Sequence, residues 1–234
     1  MTKIPFISFM LVLWCVLVVI LWYGSAFAEP VKCANGNVTV YAAKKCDIAH
    51  ACLAIDKTYA FLRTAGLNKP VSIDLHIVSK LMGHADPEVC LGHYNTRTRK
   101  THILSYGACK CRFIKNSFWG LTFNRELHNS FIIHEVAHAI AEAHFELETQ
   151  GLAAGEYIAY TTQIALMSDR LREDLLTKIS NGGFENHQEI TSTFHDLSPS
   201  TFAVKAYRHF RRKENGSMFY QKLIHGEVIL NGEE

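Results

Sequence analysis

The sequence lacks an excess of charge of either sign. Its 24 Lys and Arg residues nearly balance 22 Asp and Glu residues, for a formal net charge of +2. No basic stripe with interleaved aromatic residues is visible, so nothing indicates a nucleic-acid-binding protein. Internal repeats and low-complexity stretches are also absent. The chain is long enough for one compact domain with a sizeable core.

The one long hydrophobic run lies at the amino terminus. Lys3 precedes the apolar residues 4–23, and Ala26-Phe-Ala28 fits a small-x-small cleavage site. No cluster of charges follows as a stop-transfer signal, so we predict a signal peptide over residues 1–28. The alternative is an uncleaved anchor formed by residues 4–23, because a run of this length can span a bilayer. Both interpretations export residues 29–234, to the periplasm or beyond the cell, and only the anchor makes the membrane a partner.

Cysteine usage agrees with export. Cys15 lies in the leader, and six cysteines remain: Cys33, Cys46, Cys52, Cys90, Cys109 and Cys111. An even number in an oxidising compartment favours disulfide bonds, although six cysteines permit 15 pairings. Proximity suggests one bridge among the first three and another from Cys90 to Cys109 or Cys111. A structural zinc cluster is the alternative, but Cys109-x-Cys111 does not have the usual C-x2-C spacing.

The first half of the chain alternates between helical and extended patterns. Apolar residues recur every three or four positions from Cys46 to about Thr64, which predicts a helix ended by Gly66. Alternation and composition predict strands at residues 38–41, 71–78 and 101–106, and a short edge strand at residues 118–121.

From Asn124 onward the patterns are mainly helical. The predicted helices run from 124 to about 148, from about 152 to 167, from 199 to about 213, and from about 216 to 226. Sheet-forming segments therefore precede most of the helices. This order predicts a single α+β domain over residues 29–234.

The most specific motif is His134-Glu-Val-Ala-His138. On a helix, positions i and i+4 differ by about 40° around the axis, so both imidazoles can bind one zinc ion. Glu135 points too far round the helix to be a third ligand, but it can take a proton from a zinc-bound water. The motif predicts metal-assisted hydrolysis.

A catalytic zinc site needs a third protein ligand, and His144 is one candidate. The spacing His134 to His144 matches the metzincin string H-E-x-x-H-x-x-G-x-x-H except at Ala141, where that family has glycine. Glycine allows the chain to leave the helix and bring the last histidine back to the metal. The residues around Ala141 are good helix formers, so we expect the helix to continue and to carry His144 away. No convincing Met-turn follows.

Glu156 is the stronger candidate. It lies 18 residues after His138, on the helix predicted after Gly151. Two helices joined by a short loop can bring such a carboxylate onto both histidines.

These residues resemble those of the gluzincin zinc metallopeptidases, and the resemblance covers about residues 124–168. It implies that His134, His138 and Glu156 bind zinc, that Glu135 is the general base, and that the α+β domain is zincin-like: a small sheet, an active-site helix and a mainly helical C-terminal part. The segment Glu156-Tyr-Ile-Ala-Tyr160 is also similar to one in small exported bacterial proteins of unknown function. The chain departs from the family at Tyr160, where many gluzincins have an aspartate that orients the first histidine; a hydroxyl would take that role here.

The predicted activity is hydrolysis of peptide bonds in a peptide or protein substrate outside the cytoplasm. Six side chains could donate a hydrogen bond to the oxyanion, and the sequence does not rank them: Tyr157, Tyr160, His195, Tyr207, His209 and Tyr220. In gluzincin-like sites an edge strand ahead of the motif helix aligns the peptide, here residues 118–121. Two alternatives stay open: a zinc hydrolase of another substrate, such as a cell-wall amide or ester, and a zincin-like binding module without turnover.

Overall fold

A computed structural model describes residues 28–34, 37–81, 91–113, 117–147 and 151–230. The predicted signal peptide and Cys90 lie outside these residues. Within the described ranges, no helix combines the length and the apolar composition needed to cross a membrane.

Five strands form one mixed sheet in the order β1-β2-β3-β5-β4. They are β1 (Val31–Lys32), β2 (Val38–Ala42), β3 (Ile73–Val78), β4 (Gly92–Asn95) and β5 (Lys100–Leu104). Strands β2, β3 and β5 are parallel, and the outer strands β1 and β4 pair antiparallel with β2 and β5. Strand β4 is therefore one edge of the sheet.

The described residues also form eight α-helices. They are α1 (Lys45–Thr64), α2 (Tyr106–Arg112), α3 (Arg125–Glu142), α4 (Leu152–Ala165), α5 (Asp169–Lys178), α6 (Ser192–Leu197), α7 (Pro199–Phe210) and α8 (Gly216–Ile224). The α+β class is confirmed, with a small sheet followed by mainly helical structure. Predicted strands 38–41, 71–78 and 101–106 and the long helices are present, with shifted ends.

The sheet has one apolar face, and helices cover it. In β2 and β3 every second residue is fully buried, as in Val40 and Leu75, because successive side chains point to opposite faces. Helix α1 packs on β2, and α3 packs on β4 and β5 and against α1. Helix α4 lies behind them, between α3 and α7. The motif helix α3 is thus held between the sheet and a second helical layer.

Three local predictions need correction. Residues 118–121 form a tight turn closed by one bridge between Phe118 and Leu121, not an edge strand. The edge strand is β4. It was not predicted because the composition of its segment is typical of turns. The motif helix ends at Glu142, before the expected end near residue 148, because the His144 ring bonds to the Ile140 carbonyl and the chain turns away. The short helix α2 starts where the strand around residues 101–106 was expected to end.

One predicted disulfide is present. Cys33 and Cys52 are bonded, with Cα atoms 5.2 Å apart, and they connect the segment between β1 and β2 to α1. Cys46, Cys109 and Cys111 are free thiols. The expected bridge from Cys90 to Cys109 or Cys111 involves a residue outside the described ranges and stays a prediction. Cys109 is buried, and its thiol donates to the carbonyl of Leu104.

Candidate metal site

The start of helix α3 is fixed by polar contacts. The Asn124 side chain accepts a hydrogen bond from the backbone N–H of Leu127, as an N-cap residue does. Arg125 donates to the carboxylate of Asp47 at 2.6 Å, and Asp47 is buried at the start of α1. These contacts set the position of the helix that carries the histidine motif.

His134 and His138 project from α3 toward Glu156 on α4. The two Nε2 atoms are 3.1 Å apart. Glu156 places Oε2 3.5 Å from Nε2 of His134 and Oε1 3.4 Å from Nε2 of His138. The three side chains form a group that could hold a metal ion, and among the residues described they are the one such group of three or more.

The spacing of these atoms matches tetrahedral coordination. Zinc binds histidine nitrogen and carboxylate oxygen at about 2.0–2.2 Å, so two ligand atoms on a tetrahedron are roughly 3.3–3.5 Å apart. The three separations, between 3.1 and 3.5 Å, fall close to that value. Little rearrangement is needed for the three atoms to share one ion.

Gly155 allows helices α3 and α4 to pack close together. A Cβ atom added to Gly155 would lie 3.3 Å from Nδ1 of His138. Any larger residue before Glu156 would press on the imidazole ring. Gly155 therefore permits the close approach that places Glu156 over both histidines.

Burial and mutual charge perturb the three groups. Burial, reinforced by the neighbouring His138, lowers the pKa of His134 to about 3. Burial also opposes protonation of His138, but the Glu156 carboxylate outweighs it and raises the pKa of His138. Burial opposes ionisation of Glu156, yet the facing histidines lower its pKa. At neutral pH His134 is neutral and Glu156 is ionised, the forms that bind metal.

Glu135 lies beside this group, against the edge strand. Its side chain is buried, and burial raises its pKa to about 7 while a hydrogen bond from the Tyr94 backbone lowers it in part. A Cβ atom on Gly92 would be 3.1 Å from Cγ of Glu135, so β4 passes directly over the carboxylate. A carboxyl group poised near neutral pH can both accept and release a proton.

His144 has a structural role. It is 3% exposed, its Nδ1 donates to the carbonyl of Ile140 at 2.7 Å, and its Nε2 accepts from the backbone N–H of Lys69 at 2.9 Å. Both ring nitrogens are used by the backbone, so neither is left for a metal. The expectation that His144 is not a ligand agrees with this geometry.

Tyr160 packs its ring on His134, with centroids 4.4 Å apart, and its hydroxyl lies 3.5 Å from Nε2 of His195. The Gln163 side chain interacts with His134 and opposes the lowering of the His134 pKa. Nδ1 of His134 and Oε1 of Gln163 are both buried, and neither has a hydrogen-bond partner of good geometry. Gln163 lies one helical turn beyond Tyr160 and was not among the site residues predicted from the sequence.

Of the six proposed oxyanion donors, two line the site. Nε2 of His195 lies 3.6 Å from Oε2 of Glu156, and its Nδ1 contacts Asp196 at 3.0 Å. Tyr160 is the other. The remaining four do not line the cleft. Tyr157 and His209 form a hydrogen bond of 2.8 Å with each other in the core. Tyr220 forms a hydrogen bond with Thr161, and Tyr207 is buried. Helix α6, which the sequence did not predict, delivers His195.

The group opens into a cleft of about 1000 Å³. Strand β4, helices α3 and α4, the turn at residues 118–121 and helix α6 all contribute to its walls. Cavities of this size are typical ligand sites.

Comparison with known proteins identifies a family. A family model described as a family of unknown function, DUF6639, matches residues 38–233, which include the whole site. No curated protein and no solved structure matches the chain.

Proposed function

We propose that this chain, which belongs to the DUF6639 family of unknown function, is a zinc-dependent metallopeptidase of the gluzincin type that acts outside the cytoplasm. The observation that carries the proposal is the convergence of His134, His138 and Glu156 at tetrahedral ligand spacing beside the buried carboxyl group of Glu135. Two histidines and one carboxylate are the donor set of zinc peptidases such as thermolysin.

The fit of zinc rests on the donor atoms themselves. Nε2 of His134 is neutral at neutral pH, Oε2 of Glu156 is buried without a hydrogen-bond partner, and both face the same point. A cation there would satisfy the buried oxygen. Nitrogen and oxygen donors at this spacing favour zinc over magnesium or calcium, which take more oxygen ligands.

The residues around the metal-binding group then have distinct chemical roles. Zinc held by His134, His138 and Glu156 would lower the pKa of water toward neutrality and polarise a carbonyl group. Glu135 takes the proton of the attacking water and passes it to the amine that leaves. His195, oriented by Asp196, and the Tyr160 hydroxyl donate hydrogen bonds to the oxyanion. Strand β4 replaces residues 118–121 as the edge that aligns an extended peptide.

Gln163 takes the orienting role that a gluzincin aspartate would have at position 160. The hydroxyl of Ser130 donates to the carbonyl of Leu127, so its oxygen accepts from Nε2 of Gln163 at 3.0 Å. We infer that Oε1 of Gln163 then faces Nδ1 of His134, since the Gln163 side chain opposes the lowering of the His134 pKa. A hydrogen-bond acceptor at this position keeps the imidazole proton on Nδ1. The lone pair of Nε2 is then available to the metal.

Replacing Gln163 with leucine therefore weakens zinc binding. We expect the dissociation constant of zinc, measured by competition with a chromophoric chelator, to rise by about 10–100-fold. Gln163→Glu restores an acceptor and keeps the affinity within a few-fold of the original. The control Gln188→Leu changes an exposed glutamine and leaves the affinity unchanged. Unaltered zinc affinity in Gln163→Leu would show that Gln163 does not orient the ligand.

The proposed activity is tested on the full chain purified without chelators. We expect about one zinc per chain, hydrolysis of a mixed peptide library, loss of hydrolysis with 1,10-phenanthroline, and recovery when zinc is added back. A folded chain that takes up no zinc overturns the proposal. A zinc-loaded chain that cleaves only cell-wall amides or esters, or that has no turnover at all, replaces it with one of the two alternatives.

Export is part of the same proposal. The Cys33–Cys52 disulfide supports it, because such bonds persist in oxidising compartments. We propose a periplasmic or secreted location, reached through the leader at residues 1–28. Fractionation of cells that express the full chain tests this, and amino-terminal sequencing of the exported product distinguishes a cleaved leader from an anchor.

A further inference from the structure

An aromatic surface leads from the metal-binding residues to one wall of the cleft. Tyr160 lies against His134, and the Trp119 ring lies 5.6 Å from the Tyr160 ring. Trp119 in turn stacks on Phe118, with ring centroids 4.8 Å apart, and Phe118 contacts Phe131 edge-on at 4.9 Å. All of these side chains line the cleft. The surface is continuous, so a group bound at the metal has aromatic rings beside it.

Trp119 adopts an unfavourable backbone conformation in this surface. Its φ is 54° and that of Gly120 is 74°, and the backbone N–H of Leu121 donates to the carbonyl of Phe118 at 2.9 Å. Positive φ at both central residues is the pattern of a type I′ turn, which favours Asn-Gly. Glycine fits the second position, but tryptophan at the first is disfavoured because its Cβ crowds the backbone. Residues held in such conformations cluster at functional sites.

Trp119 packs against the core with only part of its surface. Leu121, at the end of the same turn, is 2% exposed and fills the core, whereas Trp119 is only half-buried. Trp119 also lines the cleft. A large aromatic side chain in a strained turn, half-exposed in the cleft, fits contact with a ligand better than it fits a role in folding.

We propose that Trp119, with Phe118 and Phe131, forms the pocket for a bulky apolar or aromatic side chain of the peptide substrate, next to the bond that is cleaved. This inference rests on the proposed peptidase function. Aromatic rings offer a large apolar contact area and preferred stacking geometries to a phenylalanine or leucine side chain. A small or acidic side chain gains neither.

The first experiment measures selectivity. Two otherwise identical peptides carry phenylalanine or alanine next to the cleaved bond, and we expect kcat/KM to favour phenylalanine by at least about 10-fold. Trp119→Asn supplies the residue that the turn prefers and should reduce the preference to about 3-fold or less, with zinc content unchanged and the melting temperature maintained. Trp119→Phe keeps an aromatic ring and retains most of the preference. A Trp119→Asn variant that keeps the full preference overturns the proposal.

The second experiment does not depend on catalysis. N-acetyl-phenylalaninamide is titrated into the full chain, with and without zinc, while tryptophan fluorescence is recorded; N-acetyl-alaninamide is the control. Trp14 and Trp22 contribute to the emission, so the Trp119→Phe variant supplies the background. A change that requires Trp119 and the phenylalanine compound supports the pocket even if no peptide is hydrolysed, in which case only the peptidase function fails. Hydrolysis without selectivity or a fluorescence change leaves the function standing and overturns the pocket.

Discussion

Replacing Glu135 with glutamine should abolish peptide hydrolysis while zinc stays bound. The amide has the shape of the carboxylate and can still accept the hydrogen bond from the Tyr94 backbone, so the cleft is preserved. It cannot take a proton from the attacking water. Since general base catalysis contributes about 10²–10⁴-fold, kcat should fall by about that factor or more. Rates on a cleaved peptide and zinc content by mass spectrometry give the two readouts.

The matched control is Glu142→Gln, which removes an exposed carboxylate of the same helix that also lines the cleft. It should leave kcat within about 3-fold, a change too small for loss of a general base. Near-normal hydrolysis by Glu135→Gln would remove Glu135 from the mechanism and would favour a different base.

The same substitution should not destabilise the metal-depleted protein. Burial raises the pKa of Glu135 from 4.5 to about 7, so the folded chain holds a proton that the unfolded chain has released between those pH values. The free energy of unfolding therefore falls as pH rises from 4.5 to 7. A glutamine side chain does not titrate, so the variant does not lose this stability. At pH 8 the melting temperature of metal-depleted Glu135→Gln should equal or exceed that of the unaltered chain. A gain in stability together with a loss of activity is typical of a residue retained for function.

Replacing Glu156 with alanine should remove most of the affinity for zinc. The substitution leaves His134 and His138 as the remaining ligands of the group. We expect the dissociation constant to rise well beyond the ~10–100-fold that follows loss of a residue that only orients a ligand. Hydrolysis should be lost at zinc concentrations that saturate the unaltered chain. Isothermal titration and chelator competition both measure the constant.

His144→Asn is the informative comparison, because His144 is the rival third ligand. It should lower the melting temperature, since Nε2 of the buried His144 no longer accepts the hydrogen bond from the backbone N–H of Lys69. Its zinc affinity should stay near the original. The reverse outcome, in which His144→Asn loses zinc and Glu156→Ala keeps it, would assign the third ligand to His144.

The features that sequence analysis placed correctly depend on local spacing. His134 and His138 share a helix face whatever the rest of the fold does, because four residues make about one turn. The position of Glu156 near the two histidines could be predicted because a helix of the right length follows the motif helix after a short connection. The long helices and the central strands have clear apolar periodicity, so their existence could be predicted while their ends shifted by a few residues.

The features that it missed depend on contacts between distant segments. Strand β4 has four residues of intermediate burial and no apolar alternation, so only its pairing with β5 makes it a strand. His195 could not be distinguished from five other donors, because its place in the cleft depends on how α6 packs against α4. Gln163 carried no signal in the sequence, and the role proposed for it depends on a hydrogen bond to Ser130, 33 residues away.

The sequence by itself determined the chemistry available to this protein: two histidines and a glutamate on one helix, and a second glutamate on the next. These follow from residue type and helical periodicity, which act over a few positions. The tertiary structure decided which glutamate faces the histidines, which histidine the backbone uses instead, and which aromatic residues line the cleft. Those outcomes depend on the packing of α3, α4 and β4, where Gly92 and Gly155 permit close approach.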